Sequence, residues 1–173
     1  MKKVVLNVAV SIDGFIAGPN GEYDWCFTDQ DYGMKDFLSR IDTTLMGRKT
    51  FELMQQQGQE TFSGMKNYVF SKTLSSSPNN LVQIVSGDVK SFVNELKKDP
   101  DGSGGKDLWL FGGGELIKTF FDDDLIDEMM LAIHPLLLGS GIPLFPQSGK
   151  RHEFTLKDCK TYPTGLVQVF YKR

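Results

Sequence analysis

Cysteine and histidine are scarce in this sequence, and neither charge sign dominates it. Its two cysteines, Cys26 and Cys159, lie far apart and its two histidines are His134 and His152. Without a Cys-x-x-Cys spacing, a zinc ribbon and a disulfide scaffold are excluded, so both cysteines read as ordinary thiols in a reducing compartment. Neither histidine has a partner at catalytic or metal-ligand spacing, so both read as structural or surface residues and no metal site is indicated. Lys and Arg number 19 against 22 Asp and Glu, a formal net charge of -3. That balance excludes broad electrostatic capture of nucleic acid or an anionic membrane, and any basic site has to be local. Runs long enough to span a bilayer are also missing. The opening MKKVVLNVAV sets two lysines before a short apolar run, but Asn7 interrupts it. Ser11-Ile12-Asp13-Gly14 then stands where a small-residue cleavage site would be, so the stretch reads as a buried first strand of a cytoplasmic protein.

What is present is ordinary globular material: 173 residues, 40% hydrophobic and 24% charged, enough for one domain with a real core. Val4–Val10 is a continuous apolar strand suited to the middle of a sheet. A polar loop with Gly14, Gly18, Pro19 and Gly21 follows and leads to Trp25. Residues 31–40 have helical spacing through Met34, Phe37, Leu38 and Ile41, with Asp29 or Asp31 as the start signal. Strands are expected at 43–46, 67–71, 81–86, 107–111, 126–133, 154–161 and 166–171. Helices are expected at 49–56, 88–98 and 115–121. The SSSPNN segment reads as a turn and residues 99–106 as a surface loop. Alternating helices and strands imply an α/β sandwich with mostly parallel pairing. The last strands lack an intervening helix and predict an antiparallel C-terminal edge.

Two strand-to-helix turns carry the chemistry. Met46-Gly47-Arg48-Lys49-Thr50 sets two cations at a helix start, where the helix dipole already favours anions. Phe111-Gly112-Gly113-Gly114-Glu115 is the second. In an open α/β sheet, ligands bind beyond the carboxyl ends of the strands. Glycine lets backbone approach a phosphate closely, helix N–H groups and Arg48 can bind it, and Lys49 adds a point charge. Either turn alone could be an ordinary solvated helix start; the two together point to an anionic, nucleotide-like ligand.

LMGRKTFE resembles the phosphate-binding turn of dihydrofolate reductase, and the order of elements around it, including KNYVFSKT, matches too. FGGGELIKTFFDDDLIDEMMLAIHPLLLGSGIPLF resembles the C-terminal reductase domain of the riboflavin-biosynthesis deaminase/reductase. The resemblance covers essentially the whole chain. It implies a dihydrofolate-reductase-like fold with helices on both faces of the sheet, NADPH as cofactor, a small-molecule substrate and a homodimer. By motif, Gly47, Arg48, Lys49 and Thr50 would hold the cofactor phosphates. Ser71 and Lys72 would flank the adenosine ribose and its 2′-phosphate. Gly112 and Gly113 would form a cis peptide beneath the nicotinamide, followed by Gly114 and Glu115. Val8 and Ala9 would line the nicotinamide, and the Ser11–Gly21 loop, with Ile16, would close over it.

The sequence departs from these relatives in places. Met65 stands where dihydrofolate reductase usually has an arginine for the folate carboxylate, and a thioether cannot pair with that charge. Ala132 replaces a threonine that supports the catalytic carboxylate. Phe111 replaces the acidic residue that riboflavin reductases carry before Gly-Gly. Glu115 stands where a cation often assists the 2′-phosphate. Asp31 is the candidate proton donor, with a helix cap as its plainer role, and Trp25, Met65 and Phe111 are candidate substrate-pocket residues. A genuine folate reductase is disfavoured by Met65. A nucleotide-binding module without turnover is the competing class.

Overall fold

The computed structural model describes all residues except 59–61, 75, 77–80, 99–104 and 147–148, so the expected SSSPNN turn and 99–106 loop fall largely outside the described residues. In chain order the elements are β1 (Val4–Ser11), β2 (Phe15–Ala17), α1 (Met34–Ser39), β3 (Ile41–Gly47), α2 (Arg48–Gln56), β4 (Lys66–Phe70) and β5 (Val82–Val85). There follow α3 (Val89–Lys97), β6 (Asp107–Gly112), α4 (Gly114–Asp122), β7 (Glu128–His134), β8 (Ile142–Pro143), β9 (Thr155–Thr161) and β10 (Val167–Lys172).

The main sheet runs β5-β4-β3-β6-β1-β7-β10-β9. The pairs from β5 to β7 are parallel, and β10 pairs antiparallel with both β7 and β9. This is the mixed, mostly parallel sheet with an antiparallel C-terminal edge that the element pattern predicts. The apolar β1 sits inside it, with Val4, Val5 and Leu6 wholly buried.

Both faces are covered, which is why these strands read as continuous apolar runs rather than alternating ones. On one face α3 and α4 bring Val93, Ile117 and Phe120 onto Leu6, Leu108 and Leu110. On the other, α2 packs Phe51 and Met54 on Met46 and Val69, while α1 packs Phe37 on Val5 and Trp109. Phe51 and Phe120 are among the largest fully buried side chains, and truncating either to alanine costs about 3–5 kcal/mol.

The structure corrects the sequence reading in three places. Helix α1 begins at Met34 rather than Asp31, because Tyr32 (φ 49°) and Gly33 (φ 75°) are both left-handed. Ile41, counted with that helix by its spacing, instead opens β3. The loop after β1 contains β2, which pairs antiparallel with β8. Two isolated residues at β8 give no periodic signal, so this small sheet was invisible to pattern reading.

At the amino ends of the strands, charge is closed on itself. Lys2 Nζ meets Asp42 at 2.9 Å, Lys97 meets Asp127 at 2.7 Å, and Lys3 meets Glu128 at 2.6 Å. Arg40 bridges Asp107 and Glu128.

His134 ends β7 in a buried pocket, edge-on to Trp25. Its Nε2 accepts the Phe27 N–H at 3.1 Å, so the proton sits on Nδ1, which donates to the Ala132 carbonyl at 3.0 Å. Burial holds its pKa below the ordinary histidine value, outweighing the Ala132 bond, which favours the charged form. The depressed folded-state pKa makes this contribution to stability complete above about pH 6.5 and lost as pH falls through the folded value. The urea midpoint is therefore expected to drop between about pH 7 and 5.5, and His134→Gln to flatten that slope. Equal slopes in the two proteins would remove this role from His134.

Candidate functional site

Parallel pairing of β3 with β6 places Met46 opposite Gly112, so the two glycine turns leave the sheet side by side. Here the chain also diverges: β3 leads through α2 to β4, whereas β6 leads through α4 across β1 to β7. That is a topological switch point, where open α/β sheets form a crevice. A cleft of about 950 Å³ lies there.

The two turns pass close to each other, more tightly at Gly113 than at Gly47. A Cβ on Gly47 would stand 3.8 Å from Gly112 O and Gly113 N, and one on Gly113 would stand 3.0 Å from Thr50 Oγ1. The Gly112–Gly113 peptide is cis, as the resemblance implies.

The starts of α2, α3 and α4 all reach the cleft, and they differ in how they are capped. Helix α3 is capped by Asp88, whose carboxylate accepts the Ser91 N–H at 2.7 Å. Helices α2 and α4 start at Gly47 and Gly113, with no side-chain cap at either. Their first N–H groups therefore face the cleft without an internal acceptor.

Charge is arranged in the same sense. Among the described residues Lys49 and Lys72, both lining the cleft, have no carboxylate partner. Arg48 is held by Glu52 one turn along, Nη1 to Oε1 at 2.8 Å, which leaves its other N–H groups for a ligand. Glu115 also lines the cleft and is exposed. The Ser71 hydroxyl shapes the next turn, accepting the N–H groups of Thr73 (3.2 Å) and Leu74 (2.9 Å).

The cleft thus brings together Gly47, Arg48, Lys49, Thr50, Ser71, Lys72, Gly113, Gly114 and Glu115. Other candidates lie elsewhere. Gly112 is buried beneath the turn, Val8 and Ile16 are half-buried against the main core, and Ala9 pairs with Ala132 on β7. Met65 and Phe111 belong to an aromatic cluster on the α1 face, where Phe111 lies 5.1 Å from Phe62 and 4.9 Å from Trp109. Trp25 donates its indole N–H to the Glu22 carbonyl at 3.3 Å. Asp31 is exposed, outside the cleft lining, and its two carboxylate oxygens each lie 3.3 Å from the Lys35 amide nitrogen. Burial, with Asp24 beside it, pushes the Cys26 thiol up to about 11, which keeps it protonated at neutral pH.

Sequence reasoning missed Asp13. Its carboxylate accepts the Ser11 hydroxyl at 2.6 Å and the N–H groups of Leu138 (3.1 Å) and Gly139 (2.7 Å). The Ser11 bond, joined by these amides, holds its pKa below the usual carboxylate range. Asp13 so ties the loop after β1 to the Gly139–Gly141 loop, and the β2–β8 pair continues the tie. The Ser-x-Asp-Gly turn was a local signal, but partners 125 and 126 residues away were not. Ile142 and Pro143, next in that loop, form one wall of the cleft, and Pro19–Gly21 form another.

The arrangement is that of a dihydrofolate-reductase-like α/β protein. The chain belongs to the RibD C-terminal domain family, whose sequence model matches residues 2–168. Two uncharacterised proteins of Bacillus subtilis (strain 168) are similar. YyaP is 41% identical over 98% of this chain and 94% of its own, and YwjB 33% identical over 99% and 98%. A candidate riboflavin biosynthesis protein from Shewanella sp. PV-4 shares 28% identity, a TM-score of 0.85 and coverage of 99% of this chain and 98% of that one. The Thermotoga maritima diaminohydroxyphosphoribosylaminopyrimidine deaminase/5-amino-6-(5-phosphoribosylamino)uracil reductase shares the fold at 13% identity and TM-score 0.74. There the match covers 99% of this chain and 56% of that one. No described helix is long and apolar enough to cross a membrane, and no described group of His, Cys, Asp and Glu is placed to hold a metal.

The tie beside the cleft is testable. A Cβ on Gly141 would collide with the Ala17 carbonyl oxygen, whereas one on Gly139 (φ +74°) would meet nothing within 4 Å. Gly141→Ala is expected to cost at least about 2 kcal/mol and Gly139→Ala about 1 kcal/mol of left-handed strain. Urea unfolding checks this, and equal losses would contradict a close β2–β8 contact.

Proposed function

We propose that this chain is an NADPH-dependent reductase of a small heterocyclic or carbonyl-like substrate, acting as a homodimer. The observation that carries the reading is the pair of uncapped helix starts converging on one cleft beside Arg48, Lys49 and Lys72. Phosphate oxygens would accept from the first N–H groups of α2 and from the Arg48 fork, with Thr50 able to donate its hydroxyl. Lys72 would face the 2′-phosphate. The acidic Glu52 and Glu115 in the same cleft temper that positive field. NADPH supplies a hydride when bound, and the protein's part is to orient it and exclude water.

The proton is assigned to solvent. Asp31 is turned to its own helix start and stands outside the cleft. Met65 and Phe111 present a thioether and a phenyl ring, so neither offers a charge to a folate carboxylate or a ribosylamino group. Those two residues keep the physiological substrate distinct from folate and leave the riboflavin intermediate as one candidate among heterocycles. The outward Asp31 also favours a second reading, a nucleotide-binding module without turnover.

Fluorescence titration with NADPH and NADH tests the cofactor. Saturable NADPH binding is expected, weakened about 10–100-fold in Arg48→Ala, the worth of a charge-assisted hydrogen bond. Absence of binding, or an Arg48→Ala protein equal to wild type, would overturn the reading. Oxidation of NADPH with pterins, ribosylamino-pyrimidines and carbonyl compounds then separates reductase from module.

A further inference from the structure

The two faces of the antiparallel edge differ in chemistry. In the β10–β9 register Val167 lies opposite Thr161, Val169 opposite Cys159 and Tyr171 opposite Leu156. Paired residues share a face, and Ile133, opposite Val167 on β7, extends this one. None of these side chains is charged at neutral pH. The other face carries Lys160, Asp158 and Lys172, opposite Gln168, Phe170 and Thr155. Leu156 and Cys159 are three residues apart and would fall on opposite faces of a regular strand. The register shift between Phe170 and Tyr171 skips Lys157, a bulge that brings the two to one face.

This uncharged face is open. All seven residues of β9 are exposed, so no element of the chain covers that strand. Ile133, Val167 and Val169 are only half-buried. Leu156 is 53% exposed, and Phe145 at the same corner is 52% exposed. The Phe121 ring joins them, lying 5.2 Å from Phe145 and 6.3 Å from Phe154, which packs on the same core as Val169 and Tyr171. Charges in the adjoining segments are paired, Arg173 with Asp124 at 2.7 Å and Arg151 with Glu153 at 3.1 Å. An apolar patch with a polar rim is the anatomy of a protein interface.

Surface area and symmetry select a second copy of the chain as its occupant. The chain exposes 9574 Å², whereas a compact monomer of 19.4 kDa exposes about 8500 Å². The excess, about 1000 Å², is close to what one subunit gives up in a standard interface. The face has no charge to select an unlike partner, but laid on itself about a two-fold axis it sets apolar against apolar. Pairing edge to edge is the alternative, and the bulge at Lys157 guards β9 against it.

We propose that the chain dimerises through the uncharged face of β10 and β9, two copies packing sheet to sheet with Phe145, Leu156 and Val169 buried between them. The proposal rests on the homodimer of the reading above and not on its cofactor.

Sedimentation equilibrium of the full chain tests it. Wild type is expected at about twice the monomer mass at micromolar concentration. Leu156→Glu, which places a charge in the contact from each copy, is expected to raise the dimer dissociation constant at least about 100-fold. Lys160→Glu, on the opposite face of the same strand, should leave it within about threefold. Should Leu156→Glu fail to fold, Phe145→Glu carries the same expectation. A monomeric wild type, leaving the face to an unlike protein or a lipid surface, would overturn the proposal. So would a Leu156→Glu dimer as tight as wild type, or dissociation by Lys160→Glu instead. NADPH titration of the same samples keeps the two readings apart, because a monomer that still binds NADPH loses this interface and retains its cofactor.

Discussion

Everything at the cleft depends on the side-by-side exit of β3 and β6 from the sheet. Their parallel pairing brings Met46 opposite Gly112, so the next residues of both strands must pass each other within van der Waals contact. A Cβ on residue 113 would crowd Thr50 Oγ1 at 3.0 Å, so glycine there leaves the threonine in place. Because α2 and α4 start at these glycines, neither helix has a side chain of its own to cap it. The geometry that packs the sheet therefore also leaves two sets of helix N–H groups facing one space.

The two ends of the sheet handle charge in opposite ways. At the amino end, Lys2, Lys3, Arg40 and Lys97 all close ion pairs with Asp or Glu. At the carboxyl end, Lys49 and Lys72 have no carboxylate partner among the described residues. Exposed pairs contribute little stability, so leaving two cations unpaired costs the fold little while creating a local positive field in a protein of net charge -3. Glu52, paired with Arg48, limits that field.

Much of the fold was legible because its signals are local. Apolar runs at Val4–Val10 and Leu108–Leu110 announce strands buried on both faces, and the helical spacing of Phe92, Val93 and Leu96 announces α3. Gly47 and Gly112–Gly113 were legible as the cleft because each joins a strand to a helix. What stayed hidden depends on distant partners or special backbone angles. The β2–β8 pair rests on contacts across more than a hundred residues, with Asp13 bonded to Leu138 and Gly139. The late start of α1 rests on left-handed Tyr32, a conformation no side-chain pattern predicts.

We propose that the uncapped starts of α2 and α4 hold the phosphates of one dinucleotide. Amide chemical shifts during an NADPH titration test it most directly, because they report on the N–H groups themselves. The largest changes should fall on residues 48–51 and 114–117, moving together along a single saturation curve. Saturation by NADPH with those amides unmoved, and changes confined to other elements, would contradict the account.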